Sequence, residues 1–312
     1  MRKEIVNIPA SIHDKLLNLS RSTNQLFNQL LYIFANERFL YRLGISPHKN
    51  KFILKGAMAL LNLSLDHPRY TRDMDFLGFT ENSVDNIVGI IREICVVEAN
   101  DDGLIYDLNS ISGELIKLSD EYSGVRVMFD AYLGNAVITN LQIDVVVGDV
   151  VYPQPREVVL PGLLDLPEAI IRVYPIEAII SEKIHALEMH GFLNSRMKDI
   201  YDIWFIASNR IIDGEILTES LNSTFKHRQT KYPELLVIFE ENYIDERKIV
   251  AWKSIGKKLL SPEHLPDLPF IIDQLRGFLI PLLNALFQGK AFNFIWDPSN
   301  IWEWQKKHSN KK

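Results

Sequence analysis

One cysteine in 312 residues, Cys95, excludes a disulfide framework and any zinc site built on cysteines, and its place in the apolar run IVGIIREICVV makes it a core thiol suited to a reducing cytoplasm. Basic charge is not in excess either. With 34 Lys and Arg against 40 Asp and Glu, the net charge of −6 gives no overall attraction for a polyanion, so a nucleic acid would have to meet a local basic patch. No uninterrupted apolar run reaches the roughly 18 residues of a membrane span, and MRKEIVNIPASIHDKLLNLS is too evenly charged for a secretory segment. The expectation is a soluble, cytoplasmic protein with no membrane partner. Also missing are internal repeats and the signatures G-x-x-x-x-G-K-[ST], G-x-G-x-x-G, G-x-S-x-G and H-E-x-x-H; His185 and His190 stand five apart, off the spacing that puts two ligands on one helix face.

What remains is a globular composition, 47% hydrophobic. Apolar residues recur at helical spacing from Leu26 to Leu43, with Ser22 or Thr23 as N-cap and Gly44 as the stop. KFIL reads as a strand running into Lys55, Gly56 and Ala57, MALLNLSL as a helix, and Asp73–Leu77 as a second strand. A helix over 82–97 precedes GLIYDLNSI, GELIKL, GVRVMFDAYL and LQIDVVVGDVV, whose β-branched and aromatic content predicts antiparallel neighbours. Prolines 153, 155, 161 and 167 mark a loop, a short strand follows near Ile171–Tyr174, and from Pro175 the pattern reads helical to a basic tail, WQKKHSNKK. This predicts an α+β fold, a mixed sheet with flanking helices in a domain over 1–174 that includes N-terminal helices, and a mainly helical domain over 175–312.

Asp73 and Asp75, at i and i+2 of a strand, project from one face with their Cα atoms roughly 7 Å apart, close enough to grip one or two divalent cations. Two uncompensated carboxylates repel and are costly to bury, so a metal gives them a reason to coexist. Asp144, a lone charge in LQIDVVV, is a candidate third ligand. The competing reading pairs Asp73 and Asp75 with Arg69 and Arg72 at a strand edge and leaves Asp144 on an exposed face. The Gly56 turn offers backbone N–H groups to a phosphate at the start of the following helix, or is a plain strand-to-helix turn.

In YPIEAIISEKIHALEMHG, Lys183 is placed either to meet a phosphate as a point charge or to lie solvated on a helix. In NSRMKDIYDIWFI, Lys198 and Asp202 at i, i+4 and Asp199 and Asp202 at i, i+3 suggest one charged helix face bordering a pocket, against the default of a surface ion pair.

Together these stretches resemble the AbiEii/AbiGii toxin family of nucleotidyltransferases. The matching runs are ERFLYRLGIS (37–46), FILKGA (52–57), RYTRDMDF (69–76), YPIEAIISEK (174–183), NSRMKDIYD (194–202) and TFKHRQT (224–230), over roughly residues 30–231. The resemblance implies the toxin of a toxin–antitoxin pair, neutralised by a cognate antitoxin protein and transferring a nucleotide from a nucleoside triphosphate, with the 3′ end of tRNA as the first acceptor to consider. It places Asp73 and Asp75 on magnesium, two ions being expected, Lys183 on the triphosphate and Asp202 as an active-site carboxylate. Lys55, Gly56, Ala57, Arg72, Lys198 and Asp199 are then nucleotide contacts, with Gly56-Ala57 where many nucleotidyltransferases have Gly-Gly or Gly-Ser. Lys226, Arg228 and Lys231 are the basic cluster for RNA. Two alternatives stay open: a protein or small-molecule acceptor, and an inactive RNA- or protein-binding module of the same fold.

Overall fold

The computed structural model describes residues 7–63, 71–99, 102–117, 123–193, 196–256, 259, 265–299 and 302–307. Arg69, Asn194, Ser195 and residues 308–312 of the basic tail lie outside them. The chain forms two compact units, one of residues 1–149 and 155–174, the other of residues 150–154 and 175–312.

The first unit opens with two helices, α1 (Ile8–Thr23) and α2 (Phe27–Ile45). Asn7 caps α1 by accepting the N–H of Ala10, a helix start the sequence reading passed over. In α2 the N-cap is Leu26 rather than Ser22 or Thr23, and Gly44 lies inside the last turn with Ser46 as C-cap. Gly44 lacks a side chain for packing reasons: a Cβ there would lie 2.9 Å from the carbonyl oxygen of Ile170.

The sheet contains β1 (Phe52–Lys55), β2 (Asp73–Gly78), β3 (Leu104–Tyr106), β4 (Ser112–Lys117), β5 (Ser123–Leu133), β6 (Ala136–Val147), β7 (Arg156–Leu160) and β8 (Ala169–Val173). Its order is β3-β5-β6-β2-β1-β8-β7, with β4 also paired to β5. The β2–β6 and β1–β8 pairs are parallel and the others antiparallel, so the sheet is mixed. The proline-marked loop contains a strand after all, because β7 is an edge strand and needs no ladder bonds on its outer side. MALLNLSL gives only a short 3-10 turn, Met58–Leu63. Helix α3 (Val84–Cys95), capped by Ser83, completes the unit. Under the sheet Phe39, Phe129 and Tyr106 meet edge to face or tilted at 5.7–6.2 Å, and Phe52 meets Phe76 at 5.8 Å.

The ERFLYRLG segment turns out to be a brace. Arg38 and Arg42, one turn apart on α2, both hold the buried Asp102 carboxylate, at 3.0 and 2.7 Å, and Arg38 donates to the Pro167 carbonyl. Glu37 accepts the N–H of Leu163 at 3.0 Å and lines a small pocket with Phe34, Leu160 and Leu164. Burial pushes its carboxyl up to about 8.

The second unit contains α4 (Ile176–His190), α5 (Met197–Asn209), α6 (Gly214–His227), α7 (Glu246–Gly256) and α8 (Leu268–Phe287). It is not helical throughout: β9 (Ile212–Asp213), β10 (Phe294–Trp296) and β11 (Trp304–Lys306) form a small antiparallel sheet. Part of the expected solvated tail is therefore folded, with Trp304 stacked on Phe278 and Lys307 paired to Asp213 at 2.8 Å. The 20-residue α8 is long and apolar enough to cross a membrane by length and composition, but it carries Asp273 and Arg276 and buries Ile271, Leu275, Phe278, Leu279 and Leu282 in this unit's core.

Candidate active site

Strand β2 alternates cleanly. Met74 and Phe76 are buried in the core, so Asp73 and Asp75 must project from the opposite face, where both are partly exposed. Register then builds a charged row across five strands, Lys55 beside Asp75, Asp75 beside Asp144, Asp144 beside Arg126 and Arg126 beside Glu114. Facing partners in a sheet share a face, so these five side chains and Asp73 stand on one surface.

Gly56 closes β1 beside this row with φ +66°, a conformation that favours glycine. The 3-10 turn that follows is too short to offer a helix N-terminus to a phosphate. Lys55 Nζ lies 3.8 Å from Asp149 and 5.4 Å from the centre of the Tyr174 ring, and Ala57 is buried. Arg72 stacks its guanidinium on Tyr32 at 4.1 Å and donates to the Tyr32 hydroxyl and to the Thr139 carbonyl, while Asn36 donates to the Arg72 carbonyl. The entry to β2 is thereby pinned to α2 and β6.

Asp144 is held by a cation from the neighbouring strand. Arg126 grips it through two parallel bonds of 2.8 and 2.7 Å, and Gln142 Nε2 approaches both of its oxygens, at 3.2 and 3.1 Å. The Arg126 pair is bidentate, one bond to each carboxylate oxygen, the strongest arrangement open to these two groups. The bonds to Asp144 in turn raise the Arg126 guanidinium further above its ordinary value. Among the described residues no group of three or more His, Cys, Asp or Glu is arranged to hold a metal ion. Asp73 and Asp75 do fit a hard divalent cation: two oxygen donors on one face, partly exposed, as such an ion needs when its other ligands are substrate phosphates and water.

In the second unit, α4 and α5 bring a different cluster together. Lys183 Nζ lies 2.9 Å from Asp199 Oδ1 and 2.7 Å from Asp202 Oδ2, and Arg196 Nε donates to Asp199 Oδ2 at 2.5 Å. Burial would raise the Asp199 carboxyl, but Lys183 and Arg196 outweigh it and hold it below the usual carboxylate range. Lys198, expected on the same face, is exposed, because Asp199, Asp202 and their neighbours Ile203 and Ile206 define the buried side of α5. The cation that the two aspartates share is Lys183.

The basic cluster divides. Lys226 and Lys231 are exposed, whereas Arg228 lies 3.5 Å from Glu182 Oε1 and donates to His185 Nδ1 at 3.2 Å. An arginine only donates, so His185 Nδ1 is the acceptor, and Nε2 lies 3.0 Å from Thr230 Oγ1. The KHRQT run and its partner histidine thus tie α6 to α4.

Sequence reading missed Arg126 altogether. The one available signal was a lone cation in GVRVMFDAYL, a counterpart to the lone anion in LQIDVVV.

A family model described as Nucleotidyl transferase AbiEii toxin, Type IV TA system, matches residues 38–274. No curated protein matches the chain. Among solved structures the chain is similar to JHP933 from Helicobacter pylori, with 16% identity over 81% of this chain and 90% of that one and a TM-score of 0.40. It is also similar to MenT4, a nucleotidyltransferase toxin from Mycobacterium tuberculosis, with 15% identity over 87% of this chain and 98% of that one and a TM-score of 0.47.

Proposed function

The chain belongs to the AbiEii family of nucleotidyltransferase toxins of type IV toxin–antitoxin systems, and from that premise we propose that it transfers a nucleotide from a nucleoside triphosphate to the 3′ end of tRNA in the cytoplasm, using magnesium held by Asp73 and Asp75. The observation that carries this reading is the pair itself. Asp73 and Asp75 share the solvent-side face of a strand whose other face is core, beside a glycine turn packed directly on Asp75.

Magnesium bound there would polarise the α-phosphate and offset charge on the departing pyrophosphate, two ions being the usual arrangement for in-line displacement. The chain's own residues then divide the work. Asp73 and Asp75 supply oxygen donors from a rigid strand, Gly56 lets the backbone of the turn approach them, and Lys55 places positive charge at the β1 side for phosphate oxygens. Arg72 acts mainly by pinning the start of β2. In the second unit Lys183 is the family's candidate phosphate contact, and its two aspartates orient the ammonium. Asp202 and Asp199 are in this reading positioning groups, and Lys198 is a surface residue.

An RNA acceptor is supported by the exposed Lys226 and Lys231, and a cognate antitoxin partner by the family. The test is incubation of the protein with each labelled nucleoside triphosphate, magnesium and total RNA. Label on the tRNA 3′ end is the expected result; label on protein or on a small hydroxyl compound would replace the acceptor, and none at all would point to a binding module.

A further inference from the structure

We propose that Arg126, oriented by Asp144, is an acceptor-positioning residue that meets a phosphate near the attacking hydroxyl, and that Asp144 serves this arginine rather than the metal. The inference rests on the nucleotidyltransferase reading above. Its first support is the grip on Asp144: Arg126 bonds both oxygens as a bidentate pair and Gln142 Nε2 approaches both, so an arginine already matches the carboxylate charge.

The second support is the order of the row. Lys55 and the Gly56 turn lie on the β1 side of Asp75, while Asp144 and Arg126 lie on the β6 and β5 side. In-line displacement puts nucleophile and leaving group on opposite sides of the reacting phosphorus. If the triphosphate tail leaves toward Lys55, the attacking hydroxyl arrives from the side of Arg126. In that step a bond forms between the acceptor oxygen and the α-phosphorus, the bond to pyrophosphate breaks, and the hydroxyl proton passes to solvent.

The third support is how Arg126 is held. Asp144 fixes Nε and one N–H of NH2, so the guanidinium plane is set while its side chain keeps 33% exposure. The outer edge of the fork is left to present further N–H donors, the geometry that suits a phosphate.

The experiment compares wild type with Arg126→Ala, Asp75→Asn and the charge-balanced double variant Asp144→Asn with Arg126→Gln, after thermal unfolding shows which variants fold. Mn2+ binding is read directly by titration calorimetry. We expect the double variant to keep wild-type Mn2+ affinity within about twofold, and Asp75→Asn to lose at least about tenfold, because removing a ligand costs no less than removing an outer-shell partner, roughly 10–100-fold. A double variant that loses as much as Asp75→Asn would make Asp144 a metal ligand and overturn the proposal. For the acceptor, Arg126→Ala should raise the RNA KM while leaving the nucleotide KM unchanged, and should reduce the log–log salt slope of RNA binding by about 0.7, one single-strand phosphate contact. A raised nucleotide KM with an unchanged RNA slope would overturn it from the other side. If wild type labels no RNA, the acceptor reading itself fails, and the Mn2+ comparison still decides the role of Asp144.

Discussion

A Cβ placed on Gly56 would lie 2.0 Å from Oδ2 of Asp75. The turn and the carboxylate are therefore built as one unit, with the backbone of β1 passing as close to the Asp75 side chain as a residue without a side chain permits. The same glycine holds φ +66°, so two independent constraints select it.

Gly56→Ala should therefore displace Asp75 and strain the turn. We expect a stability loss of about 1–2 kcal/mol by urea unfolding, and a fall in transfer of about 100-fold, as follows from a misplacement near 1 Å. Near-normal transfer in a folded variant would remove Asp75 from the site.

Asp73→Asn and Asp75→Asn change charge but hardly volume, so each should abolish metal-dependent transfer while leaving the unfolding midpoint at or above that of wild type in chelator. Both carboxylates sit on a strand anchored by Met74 and Phe76 on its other face. A variant that transfers at the wild-type rate in saturating magnesium would sink the metal assignment.

Lys183→Met removes the cation that lies 2.9 Å from Asp199 and 2.7 Å from Asp202, two buried carboxylates. Removing one partner of a buried ionic cluster costs about 3–5 kcal/mol. The loss should be partly recovered below pH 5 as a carboxylate protonates, and in a Lys183→Met, Asp202→Asn double variant. If the variant melts like wild type, Lys183 is not holding the cluster and acts on substrate alone.

Glu37 gives the fold a pH dependence of definite sign. Its carboxyl sits at about 8 in the folded state against an ordinary 4.5, so between those values the folded chain holds a proton that the unfolded chain has released. Stability should be fully present below pH 4.5 on this account and decline as pH rises toward 8. Glu37→Gln keeps an acceptor for the Leu163 N–H and should flatten the decline, read as urea midpoints at pH 6, 7 and 8.5. An unchanged slope would show that Glu37 is ionised in the folded protein.

The three basic residues of the KHRQTK stretch should separate by assay. Neutralising the exposed Lys226 and Lys231 should lower the salt slope of RNA binding without changing the melting temperature, whereas Arg228→Ala should lower the melting temperature by breaking the contacts to Glu182 and His185. A lysine pair whose loss leaves the slope at its wild-type value would move RNA binding elsewhere.

Local pattern alone placed most of the elements: alternation in DMDFLG and LQIDVVV, a helical period in α2 and α3, and two carboxylates on the polar side of β2. These are properties of a few consecutive residues, and burying one face of a strand fixes where its other residues point. What Asp144 faces is not such a property. Counted from the turn between Leu133 and Ala136, the hairpin of β5 and β6 would set Asp144 opposite Val125; a bulge between Phe129 and Ala131 shifts the register by one and sets it opposite Arg126. Likewise, Asp199 and Asp202 could have met Lys198 on their own helix, and only the packing of α4 against α5 supplied Lys183. The sequence thus determined which charges face away from the core, while the tertiary structure decided their partners, because a one-residue register shift or a helix contact is set by the whole packed sheet and bundle rather than by the residues beside each charge.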